Sequence, residues 1–300
     1  MGSSGRSQVV AVAALAGLAV AWGAIPLLVR NEVPSTALVG ARVTFGAVAL
    51  IAVAAVLRKL EFPKVRRGRL VLSGILLAAH WIAFFVAIKL TTVAVALAVL
   101  YLGPIAAAIL SGPILGEKVV ARLWLALGIA AAGTILVVQP WAAASTGDGA
   151  GITTEGIGVA ALAAVLLTAL MLVGKPVAQD LGGLTMAIGE LTIAMVLLAP
   201  ATFQAVTQYS DFMVNFLILG VFFTGLAGYV YWEVMRRLPV AVVSVIMYLE
   251  PATAVIWAAV FLDETPNPAT WLGVAFVVVG GAVAATAAAD REMMNVPTAL

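Results

Sequence analysis

Apolar residues do not alternate with polar ones along this chain. They come in runs of about 18 to 22, each long enough to cross the roughly 30 Å hydrocarbon layer as a helix. Ten such runs cover about 9–29, 36–57, 70–88, 93–114, 122–139, 156–173, 185–203, 214–234, 240–262 and 268–288. The period-two alternation of a membrane β-barrel is missing, so the pattern predicts an all-α integral membrane protein with ten transmembrane helices. Most connections are short. The longer ones are 58–69 and 140–155, and the second, W-A-A-A-S-T-G-D-G-A-G-I-T-T-E-G, has the Gly/Ser/Thr character of a join between units. Five runs lie on each side of it. The chain therefore divides into a leader at 1–8, a five-helix repeat at 9–139, an inter-repeat loop at 140–155, a second repeat at 156–288 and a tail at 289–300.

The halves are related in sequence. Val93–Pro104, V-A-V-A-L-A-V-L-Y-L-G-P, returns 147 residues later as V-A-V-V-S-V-I-M-Y-L-E-P, Val240–Pro251. The same shift lays Glu117 on Glu264, Trp124 on Trp271 and Gly133 on Gly280, with 13 identities in the 41 positions from 93 to 133. A composition rich in Ala, Val and Leu supplies some identities by chance, but does not align Tyr, Pro, Glu and Trp together.

Composition changes the picture in three ways. With 64% hydrophobic and 10% charged residues there is too little polar surface for a water-soluble particle of 300 residues. The absence of cysteine removes disulfides, thiol catalysis and Cys-ligated metals. The charge is distributed unevenly. Of 16 Lys and Arg, 13 fall on the side shared by both termini, Arg30 and Lys89 fall on the other, and Arg42 lies inside a span. Short loops rich in cations stay on the cytoplasmic side, so both termini and residues 58–69 are expected there and residues 140–155 opposite. An odd number of spans per half makes the second half enter from the other side, an inverted repeat of the kind found in secondary transporters.

Polar groups at membrane depth are expensive and few, which makes them the candidate site. Arg42 lies about 9 Å from one end of span two; it either snorkels to the interface or faces inward. Glu190, at the equivalent place in the second half, is expected either to bridge to Lys175 or the Arg236/Arg237 pair or to serve substrate contact or coupling, and Arg42 carries the same structural-or-coupling choice. Glu250 falls near mid-bilayer, where the repeat has Gly103, so a carboxylate breaks the symmetry. It is either a substrate or proton group, or a neutral or Arg42-paired structural acid. Glu233 precedes Arg236 and Arg237 at i+3 and i+4, the spacing of a local ion pair. His80, Trp81 and Phe84 form an aromatic wall on span three. No Asp, Glu or second His accompanies His80 at metal-ligand spacing, so no metal site is expected. Tyr101 and Tyr248 stand three residues before Pro104 and Pro251, where each proline removes a backbone donor and lets its helix break. Trp232 ends a Gly-and-aromatic stretch on span eight, and Trp22 and Trp257 are weaker candidates. No phosphate loop, zinc-protease or nucleophile-elbow motif is present, and no cofactor is implied.

G-A-R-V-T-F at Gly40–Phe45 and the A-x6-Y-L-x-P helices, followed by G-E-K and D-E-T, resemble the ten-span exporter branch of the drug/metabolite transporter superfamily. Within that branch the chain resembles the bacterial aromatic amino-acid exporters. The resemblance covers nearly the whole chain. It implies a central cavity built mainly by spans three, four, eight and nine, alternating access, and a place in the bacterial inner membrane. It also implies export of a small amphiphilic metabolite, an aromatic or neutral amino acid. Substrate would then rest on Trp81, Phe84, Tyr101, Trp232 and Tyr248, with polar contacts from His80, Glu250 and the breaks at Pro104 and Pro251. Partners are the small molecule and membrane lipid, with no nucleic acid, and nothing requires more than one copy of the chain. Two alternatives remain at this point: a membrane-embedded lipid enzyme using His80 and Glu250 as acid and base, and a non-transporting helper subunit.

Overall fold

The computed structural model describes residues 3–29, 33–141, 153–261 and 265–294, and the described chain is helical. Most of the inter-repeat loop, 142–152, lies outside the described residues. The first half comprises α1 (Ser3–Trp22), α2 (Ser35–Val56), α3 (Arg67–Leu90), α4 (Val93–Leu100), α5 (Leu102–Leu115) and α6 (Ala121–Val138). The second comprises α7 (Thr154–Leu181), α8 (Gly183–Leu197), α9 (Ala199–Gln208), α10 (Met213–Gly220), α11 (Ala227–Met235), α12 (Val240–Met247), α13 (Leu249–Phe261) and α14 (Pro268–Met294). Nine spans by length and composition are found among the described residues, and the bent pair α8–α9 supplies the tenth.

Local chemistry sets the boundaries. Thr92 and Thr153 cap α4 and α7 by accepting from the backbone N–H of Val95 and Gly156, at 3.2 and 3.0 Å. Gly116 ends α5 in the left-handed conformation, φ 72°. The two proline breaks fall alike in both halves: α4 gives way to α5 at Tyr101, and α12 to α13 at Tyr248. Pro104 and Pro251 cannot donate to the carbonyls four residues earlier, Leu100 and Met247, so each ladder is interrupted there.

Two spans differ from the sequence pattern. The sixth runs on through Pro176 to Leu181, 28 residues in one helix, instead of ending at 173. A proline is tolerated in a membrane helix when neighbouring elements serve the freed backbone, and α7 is packed by α3, α5 and α4. The seventh, expected as one run from 185 to 203, bends by 73° at Leu198, with Pro200 opening α9. The eighth carries a π-helical segment, Val221–Leu226, between α10 and α11.

The halves interlock through small residues. A Cβ added to Gly133 would lie 2.7 Å from the Gly273 carbonyl, and one added to Gly280 would lie 2.9 Å from that of Ala126. Under the 147-residue shift Gly133 maps to Gly280 and Ala126 to Gly273, so α6 and α14 make the reciprocal contacts of a two-fold pair. The extensive packing of α3 on α7 joins the halves a second time.

Candidate functional site

The helices enclose a cavity of about 440 Å³. At one end its wall is Ile25, Pro26, Val33 and Ser35 with Ile88, Lys89 and Val93, which are the ends of spans one to four on the side opposite the cation-rich loops. At the other it stops at Glu190 and Trp232. The indole of Trp232 lies across Gly174, where an added Cβ would come within 2.2 Å of the ring.

Beyond that floor the bundle is closed by one buried charge cluster. Lys175 pairs with Glu117 and donates to the Leu238 carbonyl at 2.5 Å, while the second Glu117 oxygen accepts from the Val240 N–H at 2.8 Å. The Lys175 side chain is 5% exposed. Glu117 belongs to the first half and its two partners, Lys175 and Val240, to the second, so the cluster clamps the halves together at the cation-rich end. The Arg66–Asp180 pair nearby, at 2.5 Å, has side chains 38% and 42% exposed. Exposed pairs contribute about 0–1 kcal/mol, whereas stripping the partner from a buried charge costs about 3–5 kcal/mol, so Glu117–Lys175 dominates the closure.

Arg42 does not snorkel. It is 4% exposed and turned inward, its Nε donating to Thr224 Oγ1 at 3.2 Å. Its guanidinium lies 4.6 Å from the Trp81 ring centroid and 5.9 Å from that of Phe85. Such cation–π stacking holds the group flat on the wall. Glu250, also on the cavity wall, is half-buried and within electrostatic reach of Tyr101 and Arg42. One cation and one carboxylate thus share an aromatic chamber without belonging to the ion pairs found among the described residues.

His80 is buried, and its Nδ1 lies 2.9 Å from the Ala163 carbonyl. A carbonyl only accepts, so Nδ1 carries the hydrogen and the neutral ring turns an acceptor, Nε2, the other way. The ring stacks on Phe84 at 6.5 Å and 9°. Trp81, Phe84, Tyr101, Trp232, Pro104 and Pro251 line the cavity with His80, Arg42, Glu190 and Glu250. Tyr248 is not among its lining residues. It is 1% exposed, its ring tilted at 36° against that of Tyr101 with centroids 5.1 Å apart, and its hydroxyl donates to the Tyr101 carbonyl at 2.6 Å.

Tyr101 and Tyr248 are repeat equivalents in mutual contact, and there the two-fold reciprocity ends. Tyr248 bonds the backbone of Tyr101, but no reciprocal bond from Tyr101 to Tyr248 is found among the described residues, and Tyr101 lines the cavity with Glu250. The equivalent of Glu250, Gly103, is pressed against α7: an added Cβ would lie 2.9 Å from the Ala164 carbonyl, and Thr168 donates to the Gly103 carbonyl at 3.0 Å. The carboxylate therefore occupies the one half in which this position faces the cavity.

Glu190 meets neither Lys175 nor Arg236/Arg237. Lys175 is taken by Glu117, and Arg236 and Arg237 both pair with Glu233 at the spacing the sequence suggested. Glu190 is 3% exposed and accepts instead from the indole Nε1 of Trp232. The sequence reading missed Thr224 and the Glu117–Lys175 clamp. Thr224 had no local signal; Glu117, aligned with Glu264 between the repeats, had one. Trp22 lines the cavity with its Nε1 donating to the Phe223 carbonyl at 3.0 Å, while Trp257 bonds the Val20 carbonyl at 2.9 Å outside it.

A helical bundle built from two related halves around an amphiphilic chamber, clamped at one end, has the build of a small-molecule transporter. The chain belongs to the EamA-like transporter family, which matches residues 8–139 and again 154–286, within the drug/metabolite transporter superfamily. It is 25% identical over 219 residues to the uncharacterized transporter YxxF of Bacillus subtilis strain 168, covering 70% of this chain and 67% of that one. It is likewise 25% identical over 223 residues to the threonine/homoserine exporter RhtA of Escherichia coli K12, covering 73% and 72%. A solved crystal structure superimposes with a TM-score of 0.76 over 96% of this chain and 99% of that one, at 22% identity, a likeness of fold. The protein is thus a multi-pass membrane transporter of small metabolites and not an enzyme, which sets aside the lipid-enzyme alternative.

Proposed function

We propose that this transporter exports zwitterionic amino acids, aromatic or other neutral ones, across the bacterial inner membrane by alternating access between two inverted halves. The observation that carries this reading is that Arg42 and Glu250 line the same aromatic chamber. Arg42 suits an α-carboxylate, Glu250 with Tyr101 suits an α-ammonium, and Trp81, Phe84 and Trp232 suit the side chain. Inserting a zwitterion exchanges one internal attraction for two charge-assisted contacts. A bare amine or a bare acid satisfies one charge and strands the other, at a cost of several kcal/mol in low dielectric. The similarity to a threonine/homoserine exporter supports the amino-acid class and argues for including a small polar member among the candidates. With the cation-rich loops placed in the cytoplasm, the chamber is open outward and the Glu117–Lys175 clamp is its inner closure.

Counterflow of labelled phenylalanine, tryptophan and threonine in vesicles containing only the purified protein tests the reading. Phenylalanine is expected to compete, whereas phenethylamine and phenylpropionate, each lacking one charge, are not. Equal competition by the amine alone, or by the acid alone, overturns the zwitterion assignment.

A further inference from the structure

Glu190 is the buried acid that the substrate contacts leave unused. It is 3% exposed and lies at the floor of the chamber, one carboxylate oxygen receiving the Trp232 indole N–H and the other, Oε2, having no partner among the described residues. The ion pairs found among the described residues do not include it. Among the titratable groups on the helices packed against α8, Arg67, Arg69 and Lys89 of α3 and Glu155 of α7 lie at the helix ends, and those farther in are spoken for or neutral. From α2, Arg42 is held by Thr224 and Trp81; from α3, His80 is held by the Ala163 carbonyl. From α7, Lys175 and Asp180 turn to Glu117 and Arg66; from α11, Glu233 turns to the Gly183 N–H, Arg236 and Arg237. Tyr231, also on α11, is the titratable neighbour that does sense Glu190, and as a neutral phenol it supplies no countercharge. The π-helical segment and α9 carry no titratable side chain.

A carboxylate so placed cannot stay charged and empty without a large penalty; it needs a cation or a proton. A metal ion would require several further oxygen ligands, and no cluster of three or more His, Asp or Glu exists among the described residues. The proton needs only Oε2. We infer that Glu190 is the proton-carrying group of this transporter, binding one proton from the open side and releasing it on the clamped side, so that substrate export is exchanged for proton entry. The location supports the role. Trp232 both bonds Glu190 and lies over Gly174, the residue next to Lys175, so opening the clamp must disturb the indole that holds the acid. Arg42 and Glu250 bind the zwitterion, and Glu190 carries the ion that drives it.

This inference rests on the transporter reading, and the test separates the two. In proteoliposomes, counterflow at equal pH needs no net proton movement, whereas accumulation driven by an imposed pH gradient does. Glu190→Gln keeps an acceptor for Trp232 and mimics the protonated acid. It is expected to retain counterflow of labelled phenylalanine and to lose gradient-driven accumulation and the proton flux reported by a trapped pH dye. Gradient-driven accumulation that survives in this variant, or is missing in the wild type while counterflow proceeds, overturns the inference and leaves the transporter reading intact. Absence of amino-acid counterflow in the wild type sinks the substrate reading. Glu190 is then judged by infrared titration of the purified protein between about pH 5 and 9, the range open to a buried carboxyl. A protonated-carboxyl band that titrates there and moves in Glu190→Asp supports the assignment, and no such band overturns it. The same measurement decides the matter if Glu190→Gln does not fold.

Discussion

Arg42 shows how much one side chain's direction can decide. Its depth in span two follows from counting residues, but depth fits a snorkelling anchor and a cavity cation equally well. The choice depends on Trp81 and Thr224, which arrive from span three and from a π-helical segment 182 residues away. Replacing both members of a buried charge pair by apolar residues of similar volume often leaves stability unchanged or raises it by about 1–4 kcal/mol, whereas removing one strands the other. The double variant Arg42→Met with Glu250→Met is therefore expected to melt in detergent at or above the wild-type temperature while losing amino-acid transport. A large drop in its melting temperature would mark the two charges as a structural strut. For the other named residues the sequence was informative where the chemistry is local. Pro104 and Pro251 break their helices by what they lack, whatever surrounds them, and Glu233 finds Arg236 and Arg237 one turn away. It was uninformative where the question was which way a residue faces around its helix. Tyr248 and Tyr101 have similar sequence environments, yet one is packed away and the other lines the cavity.

At the scale of elements, one tight joint is where α2 crosses the eighth span. A Cβ on Gly46 would lie 2.8 Å from the Gly220 carbonyl and 3.0 Å from the Gly225 nitrogen, and 3.2 Å from Thr224, the residue that holds Arg42. Backbone on the far side cannot retreat as a flexible side chain could. Gly46→Ala is expected to cost about 1–3 kcal/mol, the usual penalty for overpacking, and to weaken transport by moving Thr224. Gly128→Ala is the control: an added Cβ there meets nothing within 4 Å, and removing a helical glycine should gain about 0.5–1 kcal/mol. Thermal melts of the two variants in one detergent make the comparison, and equal shifts would refute the close-packing account. Runs of apolar residues locate such helices but not their joints. They missed the bend at Leu198 because α8 and α9 are jointly apolar enough to pass for one span, and they ended the sixth span at 173 because Pro176 reads as a stop when its neighbours are unknown.

For the whole molecule, the clamp and the chamber together define one conformation of the proposed cycle. Glu117→Ala leaves Lys175 buried with only the Leu238 carbonyl, in this conformation and not in one where the clamp is open. It should shift the population toward the opposite opening. The absence of cysteine makes this measurable. A cysteine placed at Leu170, on the chamber wall, is expected to react with an impermeant thiol reagent from the side opposite the cation-rich loops. On the Glu117→Ala background it should become reactive from the cation-rich side as well. An unchanged labelling pattern would locate the inner closure elsewhere.

The broken reciprocity at Tyr101 and Tyr248 bears on that population directly. If two halves were perfect copies related by an axis in the membrane plane, the outward-open and inward-open forms would be the same object seen from opposite sides, and they would be degenerate in energy. No membrane asymmetry of lipid or voltage is needed to lift that degeneracy here, because the chain does so itself. One half places a carboxylate on the cavity wall with Tyr101, whereas the other offers Tyr248 only a peptide carbonyl. Exchanging the roles of the halves does not reproduce the same set of contacts. In the proposed cycle this position, glycine in one copy and glutamate in the other, joins the Glu117–Lys175 clamp in setting the resting orientation of the empty protein.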